Sequence, residues 1–543
     1  MAGRPSPVLD YGAFHHPPNA LFRDYLIGSP SVRPFYDGAR WDLDALVLSA
    51  GRAAARPRPL GALVGALVRQ QEERGAAQAA AAARRLGEPG AAVVVTGQQA
   101  GLFGGPLFVL YKALAAVQVA AAVGAERGAP VVPVFWVASD DHDFAEVRSV
   151  NALDDAGRLR TIRYEPHREP AGQPASRIVL DETVSTLVDE LRRCLPESPF
   201  RDGMLGRLAQ CYAPGATLSG AFAAFLSSLF PALVFLDPSD PELKTLMAPV
   251  LAREIREQSP TSRLATEAGE RLLAAGYHQQ VPVRPGFLNL FVVMDGERRS
   301  LGLQNGDVEV RGIGRRIPIE EAAALLEREP GPWSPGVLLR PLAQDHLLPT
   351  ATYVGGPAEI AYHAQIGPSY GHFGIPRPPL LPRPGVTLVE PGHARVLEAE
   401  GLALSDLQGD PEVLVARWAR EAYPDVEGAF ARARESIDRD LTDVENKLAA
   451  LDPTLRAAAD AARGRALHQI ETLREKATRA LKKRDQVRAD RIRRTRDALF
   501  PAGAFQERGL GLIGLLCRHG AAVVDTIAER LDPWATGHQV IHL

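Results

Sequence analysis

The clearest pattern in this chain is a pair of continuous apolar runs, each of which ends in a polar turn. Residues 91–96 and 131–138 are almost entirely apolar, and a helical pattern over 106–123 lies between them. Unbroken apolar strands are typical of a parallel sheet that is covered on both faces. The order strand, helix, strand predicts a right-handed βαβ unit, whose strands end at the same edge of the sheet.

The α/β pattern continues along most of the chain. Residues 147–209 have short β and helical patterns and are predicted to be an inserted segment, whereas the density of proline and glycine in residues 339–390 predicts ordered loops. Regular elements are predicted at residues 219–229 (helix), 232–236 (strand), after Ser239 (helix), 287–294 and 299–303 (a hairpin), and 319–329 (helix).

From about Glu427 the composition shifts to Ala, Arg, Glu, Asp and Leu, with apolar residues alternately four and three positions apart. This spacing is a heptad seam. Asp452-Pro453 interrupts it, and Asp before Pro is typical of a helix start, so we predict an antiparallel helical hairpin. The second helix, from Pro453 to about Leu499, would extend on the order of 70 Å, which predicts a second copy of the chain as its partner. The seam consists of Ile437, Leu441, Val444, Leu448, Leu451, Leu455, Ala458 and Ala462.

A glycine-rich turn, residues 97–106, follows the first strand. Its glycines let backbone amides approach a ligand, and Pro106 suits the first position of a helix whose N-terminus favours phosphate or carboxylate. Pro106-Leu107 stands where a Walker A loop has Lys-Ser/Thr, and the turn is not the dinucleotide motif GxGxxG either. A purely structural turn and a solvated Lys112 remain alternatives. The candidate binding residues here are Thr96, Gly97, Gln98, Gln99, Gly101, Gly104, Gly105 and Lys112.

The second strand runs directly into Ser139-Asp140-Asp141-His142-Asp143. Carboxylates and an imidazole at the end of a strand can act as general base, bind Mg²⁺ or hold an amine. One Asp, most simply Asp143, is expected to cap the next helix. Asp140, Asp141 and His142 are the candidate catalytic residues.

A later strand also runs into a Gly-Gly-Pro turn and a helix, at residues 353–363. This predicts a second helix N-terminus directed at the same crevice. The polar candidates in this part of the chain are Arg340, Asp345, Gly355, Gly356, Glu359, Tyr362 and Arg383.

Composition narrows the classes of function. The 543 residues carry a formal net charge of −3, which argues against a general nucleic-acid binder. The three cysteines have neither disulfide nor metal-ligand spacing. The apolar runs near Val117 and Val132 are predicted to be too short and interrupted to span a bilayer, and no signal-peptide order is found. A cytoplasmic protein that binds neither nucleic acid nor membrane is expected.

Four passages, in order along nearly the whole chain, resemble the bacillithiol-biosynthesis cysteine ligases of the BshC type. Two positions depart from the family pattern, because Asp140 stands where Glu is commoner and Ala358 where Gly is commoner. The passages are VTGQQAGLFGGPLFVLYK, PVFWVASDDHDFAEV, LRPLAQD with PTATYVGGPAEIAYHAQ, and FPAGAFQER.

The resemblance implies an α/β protein with a Rossmann-like parallel sheet core, inserted connecting segments at about 147–209 and 277–335, and a C-terminal coiled coil that supports a homodimer. We accordingly expect four parts. They are an N-terminal helical segment packing on the core (1–90), the core itself (91–410), the coiled coil (411–500) and a segment returning to the core (501–543).

The implied activity is addition of L-cysteine to glucosaminyl-malate, the last step of bacillithiol biosynthesis. A carboxylate is a poor acyl donor, so ATP is the expected cofactor, with Mg²⁺ as a candidate second one. Asp141 and His142 would take the proton of the sugar ammonium, and Arg340 or Arg383 would hold malate or phosphate oxygens. Two other hypotheses remain: a metal-dependent, phosphodiesterase-like hydrolase that uses Asp140–Asp143, and a scaffold protein that acts through its coiled coil.

Overall fold

The computed structural model describes residues 6–36, 41–484 and 486–543. The chain forms two compact units. The first contains the chain up to Asp155 together with Leu159–Leu388 and Gln506–Leu543, and the second contains Ala156–Arg158 and Val389–Phe505. The corresponding boundaries predicted from the sequence were 410/411 and 500/501.

The strands of the described residues are β1 (Val8–Leu9), β2 (Ala92–Gln98), β3 (Val131–Val137), β4 (Ser149–Leu153), β5 (Leu159–Arg163), β6 (Val234–Leu236), β7 (Phe287–Met294), β8 (Glu297–Gln304), β9 (Asp307–Val310), β10 (Arg315–Pro318), β11 (Trp333–Pro335), β12 (Thr350–Gly355), β13 (Leu380–Pro382), β14 (Gly385–Val389) and β15 (His538–His542). The α-helices of the first unit are α1 (Ala20–Leu26), α2 (Leu43–Ala55), α3 (Leu60–Glu73), α4 (Ala77–Arg84), α5 (Phe108–Arg127), α6 (Phe144–Val147), α7 (Thr183–Cys194), α8 (Arg201–Cys211), α9 (Leu218–Ser227), α10 (Pro241–Arg256), α11 (Pro260–Ala274), α12 (Ile319–Arg328), α13 (Arg340–Leu347), α14 (Pro357–Phe373), α20 (Gln506–Gly509), α21 (Leu512–His519) and α22 (Val523–Ala528). Those of the second unit are α15 (Pro391–Glu400), α16 (Pro411–Glu421), α17 (Pro424–Leu451), α18 (Arg456–Arg484) and α19 (Gln486–Leu499).

A five-stranded parallel sheet forms the centre of the first unit, which confirms the predicted α/β class. Its strand order is β13-β12-β2-β3-β6. β2 and β3 pair from Ala92 opposite Val131 to Gln98 opposite Val137, and β12 lies on the other side of β2. The carboxyl ends of β2, β3 and β12 therefore share one edge, where open α/β sheets bind ligands.

Helix α5 crosses between β2 and β3 and packs on the sheet. An 18-residue stretch of this 20-residue helix has a mean hydropathy of 1.7. By length and composition it could span a membrane, although the apolar run near Val117 was predicted from the sequence to be too short and interrupted to do so. Most of that stretch is buried inside the protein, where Ala116, Val119 and Val123 pack with Val94 of β2. The helix is therefore apolar because it belongs to the core.

The structure differs from the predicted elements in three places. Helix α5 begins at Phe108 and not at Pro106, because Pro106 forms a β-bridge with Gly511 and the amide of Leu107 donates to the carbonyl of Leu510. Residues 147–209 contain two full helices, α7 and α8, where only helical turns were predicted. Residues 339–390 are mostly helix and strand, since α13, β12, α14, β13 and β14 account for most of this passage.

Two further sheets belong to the first unit. The inserted segment forms an antiparallel sheet of order β10-β9-β8-β7-β11, which extends the predicted hairpin. A three-stranded sheet of order β1-β15-β14 joins the chain termini to the core. Next to β14, the Gln506 side chain accepts from the amide of Leu388 and donates to its carbonyl.

The second unit contains the predicted antiparallel hairpin. Helices α17 and α18 are joined through a short turn in which the side chain of Asp452 accepts from the amide of Thr454. Ion pairs link the two helices at both ends, where Glu427 pairs with Arg474 and Glu445 with Arg456. The apolar seam is not buried within this chain, since Leu451 of the seam is 79% exposed.

Glu254 is a fully buried carboxylate in the first unit. Its Oε1 accepts hydrogen bonds from the hydroxyls of Ser259 and Thr261, which follow α10 at the start of α11. Burial raises the pKa of Glu254 from 4.5 to about 6, although the hydroxyl donors oppose that shift. The folded state therefore binds this proton more tightly than the unfolded state.

We predict that Glu254→Gln removes a pH-dependent cost of folding. The stabilisation from a raised carboxyl pKa is complete below 4.5 and is lost as the pH rises through about 6. The free energy of unfolding of the wild type should therefore fall by about 2 kcal/mol relative to the variant over this interval. Urea titrations from pH 4.5 to 7.5 measure the difference, with the exposed Glu267→Gln as control. A pH-independent difference would contradict the prediction.

Candidate functional site

A cavity of about 520 Å³ lies at the carboxyl ends of β2, β3 and β12. Both glycine-rich turns, at residues 97–105 and 355–356, contribute to its wall. Its lining residues are Gly97, Gln98, Gln99, Gly101, Gly105, Pro106, Phe108, Lys112, Trp136, Ala138, Glu146, Val147, Ser149, Val337, Arg340, Tyr353, Gly356, Pro357, Ala358, Glu359, Tyr362, Arg383 and Arg508.

Lys112 of α5 connects the two glycine-rich turns. Its ammonium group is buried and donates to the carbonyl of Gly97 at 2.7 Å and to Oε1 of Gln98 at 3.1 Å. It also forms an ion pair with Glu359 of α14, with Nζ and Oε2 2.5 Å apart. Burial lowers the pKa of Lys112, and the carboxylate of Glu359 opposes that shift. Three N–H donors meet three acceptors, so the geometry favours a charged ammonium.

Glu359 is itself held in place by its own turn. Its Oε2 accepts from the amide of Gly356 at 2.8 Å, and its Oε1 accepts from the hydroxyl of Tyr353 at 2.5 Å. The carboxylate thus closes the first turn of α14, while Pro357 occupies the first helical position. Lys112 and Glu359 therefore have structural partners on every side.

The first glycine-rich turn does not present the ring of free amides that its sequence suggests. The amide of Gly101 donates to the carbonyl of Gln99, that of Gly105 to Leu102, and that of Gly104 to the hydroxyl of Tyr212. Gly105 has a φ of 71° and a ψ of −165°, a conformation that only glycine adopts without strain. The glycines thus shape the turn, and their amides are used within the protein.

Three arginines line the cavity. Arg340 donates to Oε1 of Gln344 at 2.9 Å and to the hydroxyl of Tyr362 at 3.0 Å, and it forms no ion pair among the described residues. Arg508 also makes no ion pair there, and its guanidinium lies 6.0 Å from the ring centre of Phe108. Arg383 lies beside them but is paired with Glu507. Two guanidinium groups are therefore available to an anion.

The N-terminus of α14 also lies at the cavity wall. Gly356, Pro357 and Ala358, which form its first turn, line the cavity. The partial positive charge of a helix N-terminus favours carboxylate or phosphate, and it adds to the charges of the arginines. The prediction that the second Gly-Gly-Pro turn directs a helix at the crevice therefore agrees with its placement.

The aspartate-rich turn lies beside the cavity, and Asp140, Asp141 and His142 do not reach its wall. Both carboxylate oxygens of Asp140 accept from the buried ammonium of Lys244 at 2.7 Å. Asp143 accepts from the amide of Glu146 and so caps α6, as predicted. These two carboxylates are therefore committed to the fold.

His142 is held by the inserted sheet. The Arg298 guanidinium contacts Nδ1 of His142 at 3.1 Å and stacks 3.7 Å from the ring centre of Phe291. Burial and Arg298 lower the pKa of His142, against the opposing charges of Asp141 and Asp143. The imidazole is therefore neutral near neutral pH, with Nδ1 facing a donor.

Asp141 and the cavity are connected through one amide. Gln99 donates from Nε2 to Oδ2 of Asp141 and to Oε2 of Glu146, and both distances are 2.7 Å. Asp141 also accepts from the amide of His142 at 2.7 Å. Glu146 lines the cavity, but it was not among the candidate site residues predicted from the sequence. A glutamate in the first turn of a helix is common on protein surfaces, so nothing in the sequence singled it out.

Eleven of the fifteen candidate binding residues line the cavity: Gly97, Gln98, Gln99, Gly101, Gly105, Lys112, Arg340, Gly356, Glu359, Tyr362 and Arg383. The other four do not. Thr96 donates to the carbonyl of Val354 and ties β2 to β12, and Gly355 ends β12 in the sheet. Gly104 packs against Phe225 under the turn.

Asp345, the fourth, is buried behind the wall. It accepts from the hydroxyl of Tyr370 at 2.6 Å and from Nε2 of Gln344 at 2.9 Å, and burial raises its pKa. Arg508, by contrast, lines the cavity but was not among the residues predicted from the sequence. It belongs to α20, which lies more than a hundred residues after Arg383, the preceding cationic lining residue in the chain. Only the quoted motif FPAGAFQER drew attention to that part of the sequence.

In residues 6–36, 41–484 and 486–543, no group of three or more His, Cys, Asp or Glu side chains is arranged to hold a metal ion. The hydrolase hypothesis needed Asp140–Asp143 as such a group. Lys244 occupies the oxygens of Asp140 and the α6 backbone occupies Asp143, so the geometry gives that hypothesis no support.

Together, the fold and the cavity define a Rossmann-like α/β protein with a crevice lined by arginines at its strand ends and a second, coiled-coil unit. Residues 10–384 match the family described as "Bacillithiol biosynthesis BshC, N-terminal Rossmann-like domain", and residues 386–543 match its C-terminal coiled-coil domain. The chain therefore belongs to the BshC family, as its motifs predicted.

Relatives match over nearly their full length. A protein of Salinibacter ruber is 34% identical over 99% of this chain and 100% of its own length. Proteins of Koribacter versatilis, 33% identical over 94% of both chains, and Chlorobaculum tepidum, 32% identical over 91% of this chain and 90% of its own, are similar as well. All three carry the provisional name cysteine ligase BshC.

We predict that Lys112→Met destabilises the first unit, because it leaves the buried carboxylate of Glu359 without its cation. Loss of one partner of a buried ion pair costs about 3–5 kcal/mol of unfolding free energy. The double variant Lys112→Met/Glu359→Gln should recover part of this loss, since it leaves no buried charge uncompensated. Urea unfolding followed by circular dichroism measures both, with the exposed Arg263→Met as control. An unchanged unfolding midpoint in Lys112→Met would rule out the structural role.

Proposed function

We propose that this protein joins the carboxylate of L-cysteine to the amino group of glucosaminyl-malate, forming an amide bond in the last step of bacillithiol biosynthesis. Membership of the BshC family supports a cysteine ligase. The observation that carries the substrate assignment is the guanidinium of Arg340, which lines the cavity and lacks a carboxylate partner among the described residues. A malate group brings two carboxylates, and guanidinium groups bind carboxylates in a two-pronged geometry.

Two arginines of the cavity would hold the malate group. Arg340 and Arg508 offer guanidinium groups without ion pairs among the described residues, and the N-terminus of α14 adds its partial positive charge. Gln98, Gln99 and Glu146 line the same cavity, and their polar groups suit the amino sugar. An acceptor that carries both carboxylates and an amine requires cationic and anionic groups in one cavity.

Activation of the cysteine carboxylate is the part of the reaction that needs ATP. When bound, ATP would supply a leaving group to the carboxylate, which is otherwise a poor acyl donor. Arg383 would hold its phosphates, with Mg²⁺ as an accompanying cation, because a guanidinium group fits phosphate oxygens. We expect this chemistry in the cytoplasm, where cysteine and ATP are both present.

The sequence suggested that Asp141 and His142 take the proton from the amine. We propose that they support this proton removal indirectly, through the side chains that they contact. Asp141 contacts the cavity through Gln99, and His142 is neutral and held by Arg298.

The direct test of function is incubation of the purified protein with cysteine, glucosaminyl-malate and ATP, with bacillithiol detected by mass spectrometry. Absence of product with a folded protein would refute the proposal.

We predict that Arg340→Met raises the KM for glucosaminyl-malate by about tenfold or more, because a charge-assisted hydrogen bond is worth about 1.5–3 kcal/mol. Arg340→Lys should give an intermediate KM, since it keeps the charge and loses the planar fork. Steady-state kinetics with saturating cysteine and ATP measure both. The control is Arg316→Met on the exposed edge strand β10. An Arg340→Met enzyme with unchanged KM would exclude Arg340 from substrate binding.

We also propose that the coiled coil forms a homodimer. Apolar side chains on its helices, such as Leu451 and Leu473, are 79% and 55% exposed in the single chain. Leu451→Glu/Leu473→Glu should therefore halve the mass measured by sedimentation equilibrium, because charges would replace exposed apolar side chains at the contact between the two copies. Lys447→Glu, on the same helix as Leu451 but already charged and exposed, is the control. A wild type that sediments as a monomer would contradict the proposal.

A further inference from the structure

Glu146 is the carboxylate on the cavity wall that keeps an oxygen available. It lies at the third position of α6, directly after the aspartate-rich turn, and is exposed to solvent. Its Oε2 accepts from Nε2 of Gln99 at 2.7 Å. Among the described residues it forms no ion pair, so Oε1 is left for a ligand in the cavity that Glu146 lines.

The other carboxylates of this region are fully used. Glu359 is bound by Lys112, Tyr353 and the amide of Gly356. Glu507 is bound by Arg383 and by the amide of Val386. Both have cationic partners, so neither can offer a free negative charge to a ligand amine.

The carboxylates of the aspartate-rich turn are not placed to bind an amine in the cavity either. Asp140 is neutralised by Lys244, and Asp143 caps α6. Asp141 accepts from two backbone amides and from Gln99, and it lies off the wall. By elimination within the described residues, an amine in this cavity meets the carboxylate of Glu146.

Gln99 fixes that carboxylate. Its single amide nitrogen donates to both Asp141 and Glu146 at 2.7 Å, so both hydrogens of the NH₂ group are used. Two carboxylates that share one neutral donor create a negative potential, and this potential attracts an ammonium group. The same amide orients Oε2 and thereby limits the directions that Oε1 can take.

We propose, on the basis of the ligase function above, that Glu146 is a catalytic residue that binds the acceptor's amino group and takes its proton, with Gln99 as its positioning residue. The amine nitrogen forms a bond to the carbonyl carbon of cysteine, which a nucleoside triphosphate has converted to an acyl phosphate or acyl adenylate. The C–O bond to the phosphate or nucleotide breaks, and the leaving oxygen takes its electron pair. The proton lost by nitrogen passes to the carboxylate of Glu146.

The first test is kinetic. Glu146→Gln keeps the size of the side chain and an acceptor for Gln99 but removes the base, so kcat should fall about 100-fold. The control is Glu169→Gln, an exposed glutamate outside the cavity that pairs with Arg148, and it should leave kcat unchanged. Asp141→Asn, measured in parallel, should lower kcat less than Glu146→Gln. Unchanged kcat in Glu146→Gln would overturn the proposal.

The second test is binding, which does not depend on turnover. The wild type should bind glucosaminyl-malate about fivefold more tightly than glucosyl-malate, which lacks the amino group, and Glu146→Gln should bind both equally. Gln99→Met should also lose this preference while keeping the affinity for glucosyl-malate, whereas a collapsed cavity would weaken both ligands. Isothermal titration of each protein with each ligand measures these affinities.

The two proposals fail in different ways. If the wild type prefers the amine-bearing ligand but makes no product, the ligase assignment fails and the contact with Glu146 stands. If it makes product while Glu146→Gln retains both kcat and the preference for the amine, the role of Glu146 is refuted. Equal affinity of the wild type for the two ligands likewise overturns the proposal.

Discussion

One buried ammonium group holds the two halves of the cavity together. Lys112 reaches from α5 to the end of β2 and to Glu359 in the first turn of α14, so a single side chain joins both glycine-rich turns. A charge buried to this extent is tolerated only when every donor finds an acceptor, which restricts the position of each partner closely. The positions of β2, α5 and α14 relative to one another, and with them the shape of the cavity, therefore depend on this contact.

Because Lys112 and the turn amides are consumed by the fold, the cavity must obtain its free charges from elsewhere. Arg340 comes from α13 and Arg508 from α20 near the C-terminus, while Glu146 comes from the short helix that follows β3. Arg508 reaches the cavity wall because the C-terminal segment returns to the core through β15 and through Gln506. The glycines thus build a frame, and residues distant in sequence give it polarity.

Sequence patterns predicted the strands and turns around the cavity better than they predicted the charged side chains that line it. Unbroken apolar runs identified β2 and β3, and the strand-turn-helix order located the edge at which the cavity forms. The same patterns could not reveal that Gly101 and Gly105 use their amides within the turn, since hydrogen-bond partners depend on backbone conformation. Nor could they distinguish Asp141, which lies off the wall, from Glu146, which lines the cavity, because side-chain placement around a short capped helix is set by tertiary contacts.

Helix α10 and the inserted sheet together occupy the groups with which so acidic a turn could bind a metal ion. Lys244 from α10 neutralises Asp140 and also donates to the carbonyl of Trp333 in the inserted sheet, and Arg298 from that sheet secures His142. Each of these contacts removes a ligand that a cation would need, because metal ions bind deprotonated groups with free lone pairs. What remains at the wall, within the described residues, is one carboxylate next to an amide and two guanidinium groups without ion pairs. That arrangement suits a small organic ligand with an amine at one end and acids at the other better than it suits a bare metal ion.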